Sequence, residues 1–235
     1  MKVGLKTILF VGDADGFGDV FDGALQPKPN LPVRRLEELF ELSLERYGIR
    51  DRKASGRIIH FIDDGGVYQV SVLHLQNYKT PILVCALSEV LEVIRSEQSS
   101  AGSTFVFPFL VPSSKLRRDT KSIKVEDKKS SLYGVLTGPE TDVSQALAAK
   151  TQKPFPALQI NHEPLACVLH IARALKLPAF ILIGQQGQEP DLEMINELGK
   201  LLAGNSCLSF LRDQVVWNPV KTLKEGEEPW RALYG

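Results

Sequence analysis

Histidine is the side chain whose charge changes most readily near neutral pH, and the chain holds four: His60, His74, His162 and His170. No two stand at HxH or HExxH spacing, and none stands at a metal-binding spacing from a cysteine. A zinc centre would therefore have to converge from distant segments. His60 and His74 fall within strand-like runs and His170 on a helical one, where half-buried polar residues are common. Cys85, Cys167 and Cys207 are odd in number and widely spaced among apolar neighbours. They form no CxxC pair and no closed disulfide set, and read as buried thiols.

The segment Gly12-Asp13-Ala14-Asp15-Gly16-Phe17-Gly18 follows an apolar run and is the one place where backbone amides could cradle a phosphate. Phe21 stands where the dinucleotide fingerprint needs its third glycine, the two aspartates would repel phosphate, and no Gly-Lys-Ser/Thr occurs in the chain. Asp13, Asp15 and Gly18 imitate part of a calcium loop, but Phe17 and Ala24 occupy positions that need oxygen ligands. No Gly-x-Ser-x-Gly elbow is present, and no histidine is placed beside Cys85 or Cys167 to activate a thiolate. The expectation is a protein without catalytic residues, metal or cofactor: not an enzyme.

Such residues need a scaffold, and the composition provides one. Of 235 residues 43% are hydrophobic and 24% charged, an ordinary globular mixture that excludes disordered, collagen-like and disulfide-scaffold chains. Lys plus Arg (28) balances Asp plus Glu (28), so no overall field recruits nucleic acid or an anionic membrane. No apolar run approaches the ~18 residues of a membrane span, and the start reads as a strand rather than a signal peptide. The expected address is the cytosol, with the nucleus accessible.

Thr7 to Val11 is a buried-strand pattern, and 33–47 reads as an amphipathic helix from Leu36, Leu39, Phe40 and Leu44, ended by Gly48. Residues 57–62 and 67–73 flank Asp63-Asp64-Gly65-Gly66, a hairpin signal. Further strands are expected at 81–87, 104–110, 132–137 and 179–183, and helices at 88–97, 140–150, 163–176 and 190–203. Between them, 112–131 carries seven Lys or Arg against three Asp or Glu and little apolar content, which suits a mobile basic insertion. Without an aromatic residue for base stacking, it reads as a solvated loop rather than a nucleic-acid patch. Strands alternating with helices imply an α/β class, a mixed, largely parallel sheet with helices on both faces. The expected organisation is one domain over 1–213 and a flexible tail over 214–235.

The chain ends Trp230-Arg231-Ala232-Leu233-Tyr234-Gly235. Its last three residues resemble the hydrophobic-Tyr-any tail of proteasome-binding proteins, in which an exposed end inserts an aromatic ring into a cleft and pairs its carboxylate with a lysine. The run Leu158-Gln159-Ile160-Asn161, Pro164 to Leu169, and Leu177-Pro178-Ala179 to Ile183 resembles the strand, helix, Pro-Ala hinge and strand of the proteasome assembly chaperones of the subunit-one type. The hinge also has a local reason, because proline stops the helix and alanine admits close strand packing.

That resemblance implies a nucleoside-phosphorylase-like fold and a non-enzymatic chaperone that forms a heterodimer with a second assembly chaperone. It implies docking of Leu233, Tyr234 and Gly235 in a pocket between α-ring subunits, which promotes core-particle assembly. The alternative is a small-molecule enzyme of nucleoside-phosphorylase type, which would need a phosphate site and a converging His or Glu.

Overall fold

The apolar run at the start of the chain becomes β1 (Lys6–Phe10), every residue of which is buried. Alternation sends Ile8 and Phe10 to one face of a sheet and Leu9 to the other, so both faces must be covered. In the computed structural model the described residues are 1–12, 16–97, 103–118, 131–154, 158–186, 192–215 and 217.

After β1 come α1 (Asp19–Ala24), β2 (Leu25–Pro27), β3 (Val33–Ser43), β4 (Lys53–Asp63), β5 (Tyr68–Leu75) and α2 (Ile82–Glu97). The chain continues through β6 (Thr104–Pro112), β7 (Leu116–Arg118), β8 (Leu132–Thr137), α3 (Asp142–Ala148) and β9 (Leu158–Ile160). It closes with α4 (Glu163–Ala174), β10 (Ala179–Gln186), α5 (Leu192–Ala203) and β11 (Leu208–Phe210). Seven strands form one sheet in the order β3-β4-β5-β1-β6-β10-β8. The central β5-β1-β6-β10 pairings are parallel, and β3-β4, β4-β5 and β10-β8 are antiparallel.

Helices α2 and α4 cover one face, with Leu87, Leu91, Leu165 and Val168 packed with Leu9, Phe107 and Ile181. Helices α1 and α5 cover the other, with Phe21, Ile195 and Leu198 packed with Ile8, Phe10 and Leu182. The chain is thus an α/β protein with a mixed sheet between two helical layers. Lys6 is buried at the strand's start, and its ammonium donates to the carbonyls of Leu202 and Gly204 at 2.6 and 2.7 Å. This satisfies carbonyls at the end of α5 that have no intrahelical donor.

Two segments differ from the sequence reading. Residues 33–43 are not helical but form β3, which pairs with β4 from Val33 opposite Asp63 to Ser43 opposite Lys53. Leu36 and Leu39 remain exposed while Leu44 alone is fully buried, so the three- and four-residue spacing served no helix face; backbone pairing overrode it. Residues 82–87 are likewise not a strand but the first turns of α2. Leu83, Ala86, Leu87, Val90, Leu91 and Ile94 form one buried stripe, so the apolar run belonged to the same helical period as the residues after it.

The segment 112–131 enters as regular structure: Pro112 closes β6, and Leu116–Arg118 pairs with β9. Its residues 119–130 lie outside the described residues. The cysteines are free thiols, each half-buried rather than fully buried. Burial pushes the thiols of Cys167 and Cys207 up, away from the thiolate form.

Candidate functional site

In open α/β sheets ligands meet the crevice beyond the carboxyl ends of the parallel strands, because the loops that leave those ends diverge. Here that edge is formed by the ends of β1, β6 and β10. A hollow of about 150 Å³ opens there, lined by Phe10, Gly12, Phe17, Phe109, His162 and Gln186 among others. Gly12 has φ +67° and lies against the start of α4: a Cβ on Gly12 would stand 2.6 Å from Cγ of Pro164. Glycine is required both for the left-handed backbone and for this approach.

His162 is the N-cap of α4. Its Nδ1 accepts from the backbone N–H of Leu165 at 3.3 Å, which leaves the proton of the neutral ring on Nε2. The ring meets Phe109 edge-on at 5.8 Å. Burial and, secondarily, the nearby Lys115 charge hold its pKa below the usual histidine value, so it is neutral at physiological pH. It is the one titratable group among the residues lining the hollow. Within the described lining there is no nucleophile and no paired carboxylate, and what it offers is aromatic packing from Phe10, Phe17 and Phe109.

A second cluster lies beside Phe10. His74, near the end of β5, stacks on Phe10 with ring centroids 4.9 Å apart, and its Nε2 is 2.7 Å from Oδ1 of Asp22 in α1. Arg57 of β4 contacts the other Asp22 oxygen and reaches Asp19 at 2.5 Å. Asp19, Asp22 and His74 bring three potential ligand atoms within 4.8 Å of one another. Arg57 already supplies positive charge to Asp19 and Asp22, so these three form an ion network that links α1 to the sheet. The sequence reading missed the cluster because its members come from three elements.

His60 is buried in β4, with Nδ1 2.8 Å from Ser71 Oγ. His170 is exposed on α4. The four histidines therefore do not converge. Asp13, Ala14 and Asp15 of the glycine-rich loop lie outside the described residues, as do Leu233, Tyr234 and Gly235. The hinge Leu177-Pro178-Ala179 joins α4 to β10 as expected. Leu177 and Ala179 are buried, and the Pro178 carbonyl accepts from the N–H of Phe105 at 2.9 Å, seating the turn beside β6. No helix among the described residues is long and apolar enough to cross a membrane.

Comparison with solved structures finds the same fold in Rv2714 of Mycobacterium tuberculosis, a protein of unknown function, with a TM-score of 0.50 and 10% identity. The match covers 89% of this chain and 71% of that one. Weaker likenesses include PbaB of Pyrococcus furiosus, an archaeal proteasome activator, with a TM-score of 0.45, 12% identity and coverage of 99% and 95%. PbaA of the same organism, an archaeal homolog of proteasome-assembly chaperone, gives 0.41 and 12%, with 86% and 83% covered. No curated protein sequence matches the chain. A family model described as a domain of unknown function, DUF7894, matches residues 1–235.

Proposed function

The chain belongs to the DUF7894 family, whose description assigns no activity, and within it we propose a non-enzymatic proteasome assembly chaperone that acts on the α-ring together with a second, related chaperone. The observation that carries this reading is the terminal tripeptide Leu233-Tyr234-Gly235. Leu233 packs at a pocket mouth, the Tyr234 ring enters the cleft between neighbouring α subunits, and the carboxylate of Gly235 meets a lysine there. The proposal therefore requires a free carboxylate on Gly235. One such tail binds weakly, but a second tail on the same heterodimer acts at high effective concentration and makes the pair bind firmly.

The segment that carries the family resemblance supports the reading. Strand β9, helix α4 and strand β10 follow one another with the Leu177-Pro178-Ala179 turn between helix and strand. PbaA and PbaB carry names of the same kind, but their likeness is too distant to add weight, and the tail and hinge bear the proposal. The setting is the cytosol, with access to the nucleus.

The rival, a small-molecule enzyme of nucleoside-phosphorylase type, would use the hollow beside Gly12. Among the described lining residues His162 is the one titratable group, and its Nδ1 is committed to the N-cap, so none of them is placed as a general base. The deciding experiment is capture of endogenous complexes with the intact chain and with a chain lacking Leu233-Tyr234-Gly235. Proteasome α subunits should be recovered with the intact chain alone. Equal recovery with both refutes tail docking.

A further inference from the structure

The two ends of the seven-stranded sheet are treated differently. At the β8 end, the backbone of Gln152 occupies the edge, accepting from Gly134 N–H at 2.8 Å and donating to the Leu132 carbonyl at 3.0 Å. At the other end, β3 is eleven residues long and among the described residues pairs only with β4. A long strand with one open row of N–H and C=O groups is a template for another strand unless charge or covering prevents it.

The edge is also apolar in an unusual way. Leu36 is 39% and Leu39 84% exposed, and Leu31 just before the strand is 44% exposed. Among the described residues these three belong to the seven exposed large apolar side chains, and they gather on one edge.

The charges on β3 decide what can pair with it. The strand reads Val33-Arg34-Arg35-Leu36-Glu37-Glu38-Leu39, two cations and two anions placed symmetrically about Leu36. A second copy brought antiparallel by a two-fold axis normal to the sheet keeps each side chain on its own face, so only registers centred on a residue exist. Centred on Leu36, Arg35 stands opposite Glu37, Arg34 opposite Glu38, Val33 opposite Leu39 and Leu36 opposite its own copy. From Val33 to Leu39 every charge meets its opposite and every apolar residue meets an apolar one, while beyond this stretch Glu41 falls opposite Leu31. Centring on Arg35, Glu37 or Glu38 instead sets that charge against itself on the axis, which is unfavourable.

The partners these charges have within the chain leave room for this. Arg34 has no ion-pair partner among the described residues. Among the described residues the nearest cation-forming group to Glu38 is His60, with Nε2 at 4.0 Å. Arg35 and Glu37 meet along the strand at 3.3 Å, and Arg57 stands 3.9 Å from Glu37.

We infer that a second copy of this chain pairs with β3 in this register, joining two seven-stranded sheets across a two-fold axis at Leu36. Such an interface closes on itself, because each copy consumes the other's open edge, and it gives a dimer rather than a fibre. The inference is independent of the proposed chaperone role: it needs neither the tail nor the α-ring.

The test is the association state of the full chain by sedimentation equilibrium at micromolar concentration, with circular dichroism to confirm the fold of each variant. The wild-type chain should be a dimer. R34E and E38R each place like charges opposite one another at two symmetric positions and should weaken self-association by about tenfold or more. An equimolar mixture of R34E and E38R should form dimers again, since one strand then carries only anions and the other only cations at these positions. The double variant R34E/E38R should also dimerise. Under oxidation L36C should cross-link to its own copy, as residues opposite one another across an antiparallel pair lie within disulfide reach, and L39C should not. A monomeric wild-type chain, a dimer indifferent to R34E and E38R, or a mixture that stays monomeric overturns the inference.

Discussion

The ammonium of Lys6 lies 2.6 Å from the carbonyl oxygen of Leu202, so the first strand of the sheet is fastened to the C-terminal end of α5. The lysine is 2% exposed, and burial pushes its pKa down to about 8. A lowered lysine pKa means that the unfolded chain binds the proton more tightly than the folded one. The resulting penalty is full below pH 8 and is relieved as pH rises from about 8 toward the ordinary 10.5. The neutral amine retains two hydrogens for the Leu202 and Gly204 carbonyls. Urea unfolding at pH 7 and pH 10 should show the wild type gaining up to about 3 kcal/mol relative to Lys6→Met over this interval. Parallel profiles would show that the ammonium is not desolvated as the fold implies.

One buried histidine, His60, and one half-buried histidine, His162, act at the other end of the pH scale. Burial lowers the pKa of His60, although Glu38 opposes the shift, and burial with Lys115 lowers that of His162. Both fold as neutral rings, so the unfolded chain takes up protons first as pH drops through 6.5. Stability should decline below that point, and the variant H60Q/H162N, which keeps an N-cap at 162, should decline less steeply. Equal acid slopes in denaturant titrations would contradict this.

Gly12→Ala should destabilise the chain by about 2 kcal/mol, since the new Cβ meets Pro164 and the backbone sits at positive φ. Gly48→Ala, at φ +79° with nothing within 4 Å of the new Cβ, separates the two causes and should cost about 1 kcal/mol. Chemical denaturation of both variants measures the difference. A Gly12 variant no worse than the Gly48 one would contradict the packing of the segment after β1 against α4.

Arg57→Ala removes the cation that serves Asp19 and Asp22 and leaves the mostly buried Asp22 with His74 alone. A loss of about 1–2 kcal/mol is expected after allowance for the solvent reaching Arg57. The double variant R57A/D22N should recover part of it, because no unpaired carboxylate then remains. Losses that simply add would show that the two residues are not coupled.

Much of the sheet was legible because its signals were local. Asp63-Asp64-Gly65-Gly66 between alternating apolar runs marked the β4–β5 hairpin, and the apolar stretches at 104–110 and 179–183 marked strands buried on both faces. Segment 33–43 was not legible, since Leu36, Leu39 and Phe40 fit a helical period by spacing alone while the partner that decides the matter, β4, lies beyond a turn. Residues 82–87 misled in the opposite sense, as a short apolar run cannot distinguish a strand from two turns of a buried helix. The Arg57–Asp22–His74 network could not be read from spacing, because β4, α1 and β5 bring it together only in the fold. The charge symmetry about Leu36 was present in the sequence, but it acquires meaning only once the residues are known to form an open edge strand.

The proposed role rests on the tail, and affinity for isolated proteasome α-rings tests it most directly. Binding should be measured for the heterodimer whose partner tail has been removed, with this chain intact, as Tyr234→Ala, and with residues added after Gly235. Tyr234→Ala should leave the thermal unfolding of the chain unchanged and weaken α-ring binding by about 2 kcal/mol, as loss of an aromatic anchor does. The extension should weaken it similarly by displacing the carboxylate from its lysine. Equal affinity for all three would contradict docking through Leu233-Tyr234-Gly235 and remove the main support for an assembly chaperone.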